Sequence, residues 1–231
     1  MAKIFRLPYS KMQRIELAIS RPIDARALTV PKIGIGEITS GPIEVSLIDL
    51  DQINGNTSSL EQLTLLSLAK ERKCKRVFEM GTFDGKTSAN LALNLSNAEI
   101  YTIDLPADQM RDAFLPISQH DMAYILKDRI GEKSNQFSGI VQLHGDTAQF
   151  DFSPWYGTCD FVFVDACHEY EYVLNDSRIA LKLIAPGGVI LWHDYSSWTG
   201  VTRALNHLQR SDPRFKRLRF ISGTTLCVLM P

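Results

Sequence analysis

Short apolar runs alternate along the chain with segments whose apolar residues recur at helical spacing. The runs are rich in Val, Ile and Phe, a composition typical of parallel strands that are buried on both faces. Helical spacing is clearest over residues 86–95 and 170–184. This alternation predicts an α/β fold with a doubly wound, mostly parallel sheet. Its first five strands are expected at residues 77–80, 99–104, 139–144, 159–164 and 189–192.

The C-terminal part of the chain predicts a different kind of strand pairing. Residues 217–221 and 225–230 form two β runs that are separated by only three residues, Ser222, Gly223 and Thr224. A connection this short joins antiparallel strands, so we expect an antiparallel pair at the end of the chain. A helix is expected just before it, over residues 201–209.

The composition agrees with one core and excludes several classes of protein. The chain has 231 residues, of which 45% are hydrophobic, enough for one sizeable core. A net charge of -1 argues against a general nucleic-acid binder, and no apolar stretch has the length of a membrane-spanning helix. The start lacks the apolar centre of a signal peptide, and the four cysteines show no C-x-x-C spacing. We expect a cytoplasmic protein with reduced thiols that binds neither nucleic acid nor membrane.

A glycine-containing turn follows the first predicted strand and leads into a helix. Glu79, Gly81 and Gly85 are arranged as E-x-G-x-x-x-G, whereas a dinucleotide fold uses G-x-G-x-x-G. The strand, the turn and the helix N-terminus bring backbone N–H groups to one point, where a ligand can approach the main chain. An acid at the strand end suits a cationic or hydroxyl-bearing ligand. The segment therefore predicts a nucleotide-cofactor loop.

Acidic residues follow four of the predicted strands. Asp104 ends the second strand, 23 residues after Gly81, where an acid accepts hydrogen bonds from ribose hydroxyls. An alternative is that Asp104 caps the segment before Pro106. In an open doubly wound sheet the carboxyl ends of the strands line one crevice, where ligands bind. The three further acids expected at this crevice are Asp146, Asp165 and Asp194.

These residues resemble the class I S-adenosylmethionine-dependent methyltransferases, and most closely the small-molecule O-methyltransferases that act on antibiotic sugars and related hydroxylated compounds. The resemblance implies a Rossmann-like sheet of seven strands with S-adenosylmethionine as the cofactor. It also implies that Glu79 lies near the methionine amino group, that Asp104 binds the ribose and that Asp146 binds the adenine amine. Gly81, Gly85 and Asp165 complete the expected cofactor site. The segments that carry the likeness are residues 78–85, 103–104, 145–146, 165–170, 185–188 and 193–195.

The loop after the fourth strand carries the expected catalytic group. His168 lies three residues after Asp165, and in the resembling sugar methyltransferases a histidine of this D-x-x-H segment is implicated as the base. Its ordinary pKa suits proton abstraction at neutral pH. The resemblance thus assigns proton abstraction to His168 and the organisation of the acceptor to Asp165 and Asp194. Alternatively, His168 caps the next helix or pairs with a neighbouring glutamate.

A divalent metal ion is a further expectation. Asp165 and Asp194 could hold Mg²⁺ through carboxylate oxygens, and the ion would orient the acceptor and lower the pKa of its hydroxyl. Metal-using relatives commonly add an oxygen ligand beside the second acid, whereas this chain has His193 there. His193 would favour another divalent cation, or would act as an acid or base without a metal. A simple turn is the remaining alternative for the pair His193 and Asp194.

Two segments lie outside the minimal sheet. Residues 1–56 form an N-terminal arm, expected to cover the site or to join subunits of a homo-oligomer, and residues 57–231 form the catalytic domain. The arm includes a β-like run over 42–50 and a turn signal over 54–56, after which a helix is expected to begin near Ser58 or Ser59. Residues 105–138, called the insertion below, are long for a strand connection, contain a helical pattern over 118–130 and are expected to form a substrate lid. The insertion residues that are candidates to shape the acceptor pocket are Met110, Phe114, His120, Met122 and Tyr124.

The sequence thus predicts a methyltransferase that acts on a hydroxyl of a small molecule, such as a sugar or another secondary-metabolite intermediate. Two alternatives stay open. One is an NAD-dependent oxidoreductase, against which the missing G-x-G-x-x-G argues. The other is a non-catalytic subunit that keeps the methyltransferase fold for binding.

Overall fold

One sheet of eight strands forms the centre of the computed structural model, which describes residues 27–48, 55–125 and 129–230. In chain order the strands are β1 (Lys32–Ile33), β2 (Arg76–Met80), β3 (Glu99–Asp104), β4 (Ile140–His144), β5 (Cys159–Val164), β6 (Ile184–Trp192), β7 (Arg219–Ile221) and β8 (Cys227–Leu229). Across the sheet their order is β1-β7-β8-β6-β5-β2-β3-β4. Strand β8 is antiparallel to both of its neighbours, and the other pairings are parallel. The predicted Rossmann-like sheet with a C-terminal antiparallel pair is confirmed.

The sheet has one strand more than the predicted seven. Lys32 and Ile33 pair in parallel with Phe220 and Ile221 of β7. A two-residue strand has no hydrophobic period of its own, so its sequence does not distinguish it from a loop. Part of the N-terminal arm is thereby built into the sheet edge.

Helices cover both faces of the sheet. They are α1 (Ser59–Glu71), α2 (Lys86–Asn94), α3 (Gln119–Met122), α4 (Tyr170–Leu183) and α5 (Thr199–Ser211). Consecutive residues of β5 are buried on opposite faces, Phe161 in one hydrophobic cluster and Val162 in the other. Because both faces are covered, the strand is apolar at almost every position rather than at alternate ones. No helix among the described residues is long and apolar enough to cross a membrane.

Helix α1 begins where a capping signal stands in the sequence. The Ser58 hydroxyl accepts from the backbone N–H of Glu61, and the Glu61 carboxylate accepts from the Ser58 backbone N–H, which completes a capping box. The predicted start near Ser58 or Ser59 is therefore confirmed. The box also fixes the Glu61 side chain, which matters for the site below.

Other local predictions differ from the structure. Residues 42–48 form no strand, because the backbone N–H groups of Ser46 and Ile48 donate to the side chains of Asn94 and Asn90 instead of to another strand. Residues 49–50 of that run lie outside the described residues. In the predicted helix over 118–130, only α3 is helical among the described positions, and residues 126–128 are not described.

Candidate active site

A cavity of about 340 Å³ opens at the carboxyl ends of the parallel strands. It has the size of a small-molecule site and lies where doubly wound sheets bind their ligands. Gly81, after β2, and Asp104, at the end of β3, lie on its wall with Asp146, which follows β4. The wall continues with Asp165, His168, His193 and Asp194, which follow β5 and β6. The convergence expected from the strand ends is therefore present.

The glycine turn is shaped by close packing. Gly81 has a φ of +95°, and a Cβ there would lie 2.0 Å from the carbonyl oxygen of Asp165. Only glycine fits such a position. Gly85 has a φ of +82°, and its Cβ would lie 2.6 Å from the Ser134 hydroxyl. Gly81 lines the cavity, whereas Gly85 is directed toward the insertion and does not.

Glu79 lies beneath the turn rather than on the cavity wall. Its carboxylate accepts a hydrogen bond of 2.6 Å from the Thr102 hydroxyl and another from the hydroxyl of Ser88. Burial raises the pKa of Glu79 to about 8, although both hydrogen bonds favour the ionised form. Through these two hydrogen bonds the buried side chain supports the turn from behind.

Asp104 joins β3 to the glycine turn. Its Oδ2 accepts from the backbone N–H groups of Thr82 (3.0 Å) and Phe83 (2.7 Å). Its Oδ1 accepts from the N–H of Leu105 (2.8 Å). Burial raises the pKa of Asp104 to about 6, even though these bonds favour the carboxylate. The predicted capping role and a place on the cavity wall thus coexist in one residue.

Asp146 is held in a similar way at another part of the wall. Its Oδ1 accepts from the backbone N–H of Ala148 (2.8 Å), and its Oδ2 accepts from that of Phe114 (2.7 Å). Because Phe114 belongs to the insertion, this acid links the turn after β4 to the segment that lies over it. Among the insertion residues expected to shape the acceptor pocket, Tyr124 lines the cavity, while Met110, Phe114, His120 and Met122 do not.

His168 is bonded to a carboxylate at each ring nitrogen. Nδ1 lies 2.5 Å from Asp121 Oδ1, and Nε2 lies 2.9 Å from Asp194 Oδ2. The imidazole stacks on the indole of Trp198 with ring centroids 4.0 Å apart. Burial lowers the pKa of His168, but the hydrogen bonds to Asp121 and Asp194 outweigh burial and raise the pKa to about 9. The two carboxylates therefore favour the protonated form of the imidazole.

His193 forms a second centre of positive charge. Its Nδ1 lies 2.9 Å from Asp165 Oδ1 and 3.2 Å from Asp194 Oδ2, and its Nε2 lies 3.3 Å from Glu61 Oε2. Burial opposes the charge, but the three carboxylates raise the pKa of His193 well above its usual value. The same interactions hold the pKa of Glu61 far below its usual range against the effect of burial. Glu61 and His193 thus form a buried ion pair.

Asp194 connects the two histidines and is conformationally unusual. Its φ of 63° lies in the left-handed region, which residues other than glycine adopt at a cost of about 1 kcal/mol or more. Its Oδ1 accepts a hydrogen bond of 2.6 Å from the Ser197 hydroxyl. The histidines hold the pKa of Asp194 far below its usual range, although burial acts in the opposite direction.

Three of these residues have a geometry that fits a divalent cation. Asp165, His168 and Asp194 each offer a ligand atom, and these atoms all lie within 4.8 Å of one another. Two carboxylates and an imidazole form a donor set suited to first-row divalent ions, with the carboxylates also suited to Mg²⁺. His193, which the sequence placed among the ligands, is not in this set. The ring nitrogens of His193 lie beside Asp165, Asp194 and Glu61.

A family model described as a methyltransferase domain matches residues 78–195, just over half of the chain. This protein belongs to that methyltransferase family. Membership of a methyltransferase family argues against the alternative of an NAD-dependent oxidoreductase. The matched residues include every cavity-lining strand end named above. No protein of curated function matches the sequence.

Solved structures share the fold of this methyltransferase at low sequence identity. An O-methyltransferase from Bacillus cereus in complex with SAH is 18% identical, with a TM-score of 0.50 over 78% of this chain and 84% of its own. The SAH-bound methyltransferase PaMTH1 from Podospora anserina is 18% identical, with a TM-score of 0.54 over 99% of this chain and 98% of its own. A putative O-methyltransferase from Klebsiella pneumoniae is 13% identical, with a TM-score of 0.50 over 96% of each chain.

Two acids of the methyltransferase site were not found by sequence reasoning. Glu61 stands in a capping box on α1, and Asp121 stands three residues after Ser118, which caps α3. Both motifs are explained completely by helix capping, so neither points to a site. Only the packing of α1 and the insertion against the strand ends brings these carboxylates to the two histidines.

Proposed function

We propose that the protein transfers a methyl group from S-adenosylmethionine to a hydroxyl of a small molecule. The observation that supports this proposal is that two groups of residues, suited to different tasks, line the same cavity. Gly81, Asp104 and Asp146 lie on it together with His168 and Asp194. The first group suits a nucleoside with a charged tail, and the second suits proton transfer.

The cofactor would lie against the glycine turn. Asp104 Oδ1 accepts one backbone N–H and retains accepting capacity for ribose hydroxyls, while Asp146 would accept from the adenine amine. Gly81 lets the cofactor approach the main chain. Glu79 and Gly85 contribute to the cofactor site by holding the turn in shape, and Asp165 faces the reacting end.

Methyl transfer is an in-line displacement in which the sulfonium carbon–sulfur bond breaks as the oxygen–carbon bond forms. The acceptor hydroxyl loses its proton, and His168 Nε2 takes it. The imidazole must first release to solvent the proton that Nε2 shares with Asp194. Binding of a cationic sulfonium nearby favours that loss, because a like charge disfavours the imidazolium. Asp165 and Asp194 orient the acceptor.

Asp165 and Asp194 would also hold a divalent cation, with His168 completing the set when it is not acting as the base. Such an ion would supply two sites for acceptor oxygens and a lower hydroxyl pKa. His193 keeps both carboxylates in place through its contacts with Asp165 and Asp194. A metal-free site would rely on the His193 cation beside the acceptor.

The acceptor is proposed to be a hydroxylated small molecule, such as a sugar or another intermediate of secondary metabolism. Five carboxylates line the cavity, and an uncharged or cationic acceptor suits that wall better than an anion. A cytoplasmic location, a homo-oligomeric state and the absence of nucleic-acid partners remain proposals from the sequence. It is also a proposal from the sequence that residues 1–56 cover the site and that the insertion forms a substrate lid.

The first test is calorimetric titration of metal-free protein with S-adenosylmethionine and with NAD⁺, each with and without Mg²⁺. We expect micromolar binding of S-adenosylmethionine alone. Asp104→Ala should weaken it strongly, and the exposed Asp108→Ala is the matched control. No binding, or a preference for NAD⁺, would refute the cofactor assignment.

Methyl transfer is then measured as formation of S-adenosylhomocysteine with two probes, 4-nitrocatechol and methyl α-L-rhamnopyranoside. Transfer that His168→Asn abolishes supports the proposal. The non-catalytic binding subunit is favoured if the protein binds the cofactor but transfers no methyl group to either probe, and if His168→Asn leaves that binding unchanged.

A further inference from the structure

The insertion supplies the carboxylate that holds His168. Asp121 is buried with 5% of its surface exposed, and its Oδ1 lies 2.5 Å from His168 Nδ1. The same oxygen accepts from the backbone N–H of His168 at 3.2 Å. One atom of the insertion thus binds both the main chain and the ring of the residue proposed as the base.

Asp121 is itself fixed by short-range contacts. Ser118 caps α3, and its hydroxyl accepts from the Asp121 backbone N–H and lies 3.2 Å from Asp121 Oδ2. On the other side of the site, His120 packs against Trp198 with ring centroids 4.4 Å apart, and Trp198 stacks on His168. Two separate segments of the chain, residues 118–121 and the loop that carries Asp194 and Trp198, therefore hold the imidazole in one orientation.

A fixed imidazole matters because its two nitrogens have different tasks. A neutral imidazole has one donor and one acceptor nitrogen. A carboxylate at Nδ1 keeps a proton on that atom. Once Nε2 has given up the proton that it shares with Asp194, Nε2 is therefore the nitrogen that accepts the proton of a substrate hydroxyl. The same negative charge stabilises the imidazolium that forms as the proton arrives.

We propose that Asp121 is the positioning residue of His168, so that the insertion completes the active site. This inference rests on the proposed function only in assigning His168 as the base. Asp121 lies on the cavity wall and acts through His168, by holding Nε2 toward Asp194 and the cavity.

Three variants separate this role from simple packing. Asp121→Asn keeps an oxygen that accepts hydrogen bonds but loses the charge, and Asp121→Ala loses both. Asp112→Asn, an exposed acid on the same insertion, is the matched control. We expect kcat with 4-nitrocatechol or methyl α-L-rhamnopyranoside to fall about tenfold to a hundredfold in both Asp121 variants. The KM for the probe and the Kd of S-adenosylhomocysteine should change by less than about threefold, since the role proposed for Asp121 is to hold the imidazole and not to bind either ligand.

A second readout needs no acceptor. In ¹⁵N-labelled protein with bound S-adenosylhomocysteine, the His168 Nδ1–H should give a low-field proton resonance, identified by its absence in His168→Asn. It should persist in Asp112→Asn and disappear in Asp121→Ala.

The outcomes distinguish the two proposals. Normal kcat in Asp121→Asn with low kcat in Asp121→Ala would mean packing alone, and it would overturn the inference. A resonance that survives in Asp121→Ala would overturn it as well. Wild-type protein that binds the cofactor but methylates neither probe counts against the proposed function, and the resonance still decides whether Asp121 fixes the ring.

Discussion

The imidazole of His193 lies 3.3 Å from the carboxylate of Glu61, 132 positions earlier in the chain. Glu61 also closes the capping box of α1 with Ser58, and its second oxygen accepts from the backbone N–H and the hydroxyl of Thr225, each at 2.7 Å. One buried side chain therefore joins the start of a helix, the hairpin before β8 and the wall of the cavity. A change at Glu61 should affect both stability and the site.

We expect Glu61→Gln to destabilise the fold by about 3 kcal/mol, because breaking a buried ion pair leaves a charge without its partner. The depressed pKa of Glu61 contributes stability above its unfolded value of 4.5 that is lost as the pH falls. The raised pKa of His193 contributes stability that is complete below 6.5 and is lost as the pH rises through the folded value. Thermal unfolding between pH 4 and pH 9 should therefore show the largest difference from wild type near pH 5–7. Glu44→Gln, at an exposed acid, is the control, and equal melting temperatures for the two variants would contradict the ion pair.

Methyl transfer should become faster as the pH rises toward 9. His168 can act as a base only when it is neutral, and its pKa in the free site is raised to about 9. The same raised pKa means that its stabilising contribution is complete below 6.5 and is lost as the pH rises through 9. The profile of kcat/KM should thus climb where stability declines. A profile that is flat above pH 7 would argue against His168 as the base.

Gly81→Ala should abolish cofactor binding and destabilise the fold strongly. A Cβ at this position would lie 2.0 Å from the Asp165 carbonyl, and the φ of +95° adds strain. Gly187 is a matched control, because it has a φ of +82° but its Cβ would meet nothing within 4 Å. We expect Gly187→Ala to cost only about 1 kcal/mol from conformational strain. Comparable unfolding curves for the two variants would mean that the loops can separate without penalty.

Binding of a divalent ion should depend more strongly on Asp194 than on His193. Calorimetric titration of chelator-treated protein with Mn²⁺ should show binding that Asp194→Asn abolishes, because Asp194 belongs to the convergent set with Asp165 and His168. His193→Gln should weaken binding less, since His193 only holds the carboxylates. No heat in the wild type, with methyl transfer intact, would support the metal-free form of the mechanism. A larger effect of His193→Gln than of Asp194→Asn would place His193 among the ligands.

Local patterns were sufficient for the central strands, for the longer helices and for the strand-end acids. The unbroken apolar run of β5 predicted a strand covered on both faces, and Ser58 marked the start of α1. The position of Asp104 at a strand tip followed from chain spacing alone. Each of these inferences depends on residues within one element and its connection, where periodicity and capping act.

Only the tertiary structure decided which side chains complete the site. Asp121 and Glu61 each satisfy a local capping motif, so nothing nearby in the sequence requires a second partner. β1 exists only because β7 offers it an edge, and Gly85 faces Ser134 rather than the cavity because the insertion folds beneath the turn. The sequence by itself determined the central strands of the sheet, the glycine turn after β2 and the acids at the strand ends, because hydrophobic period and turn chemistry are local. Contacts between distant segments depend on how helices and the insertion pack, and this packing joined the four carboxylates to the two histidines.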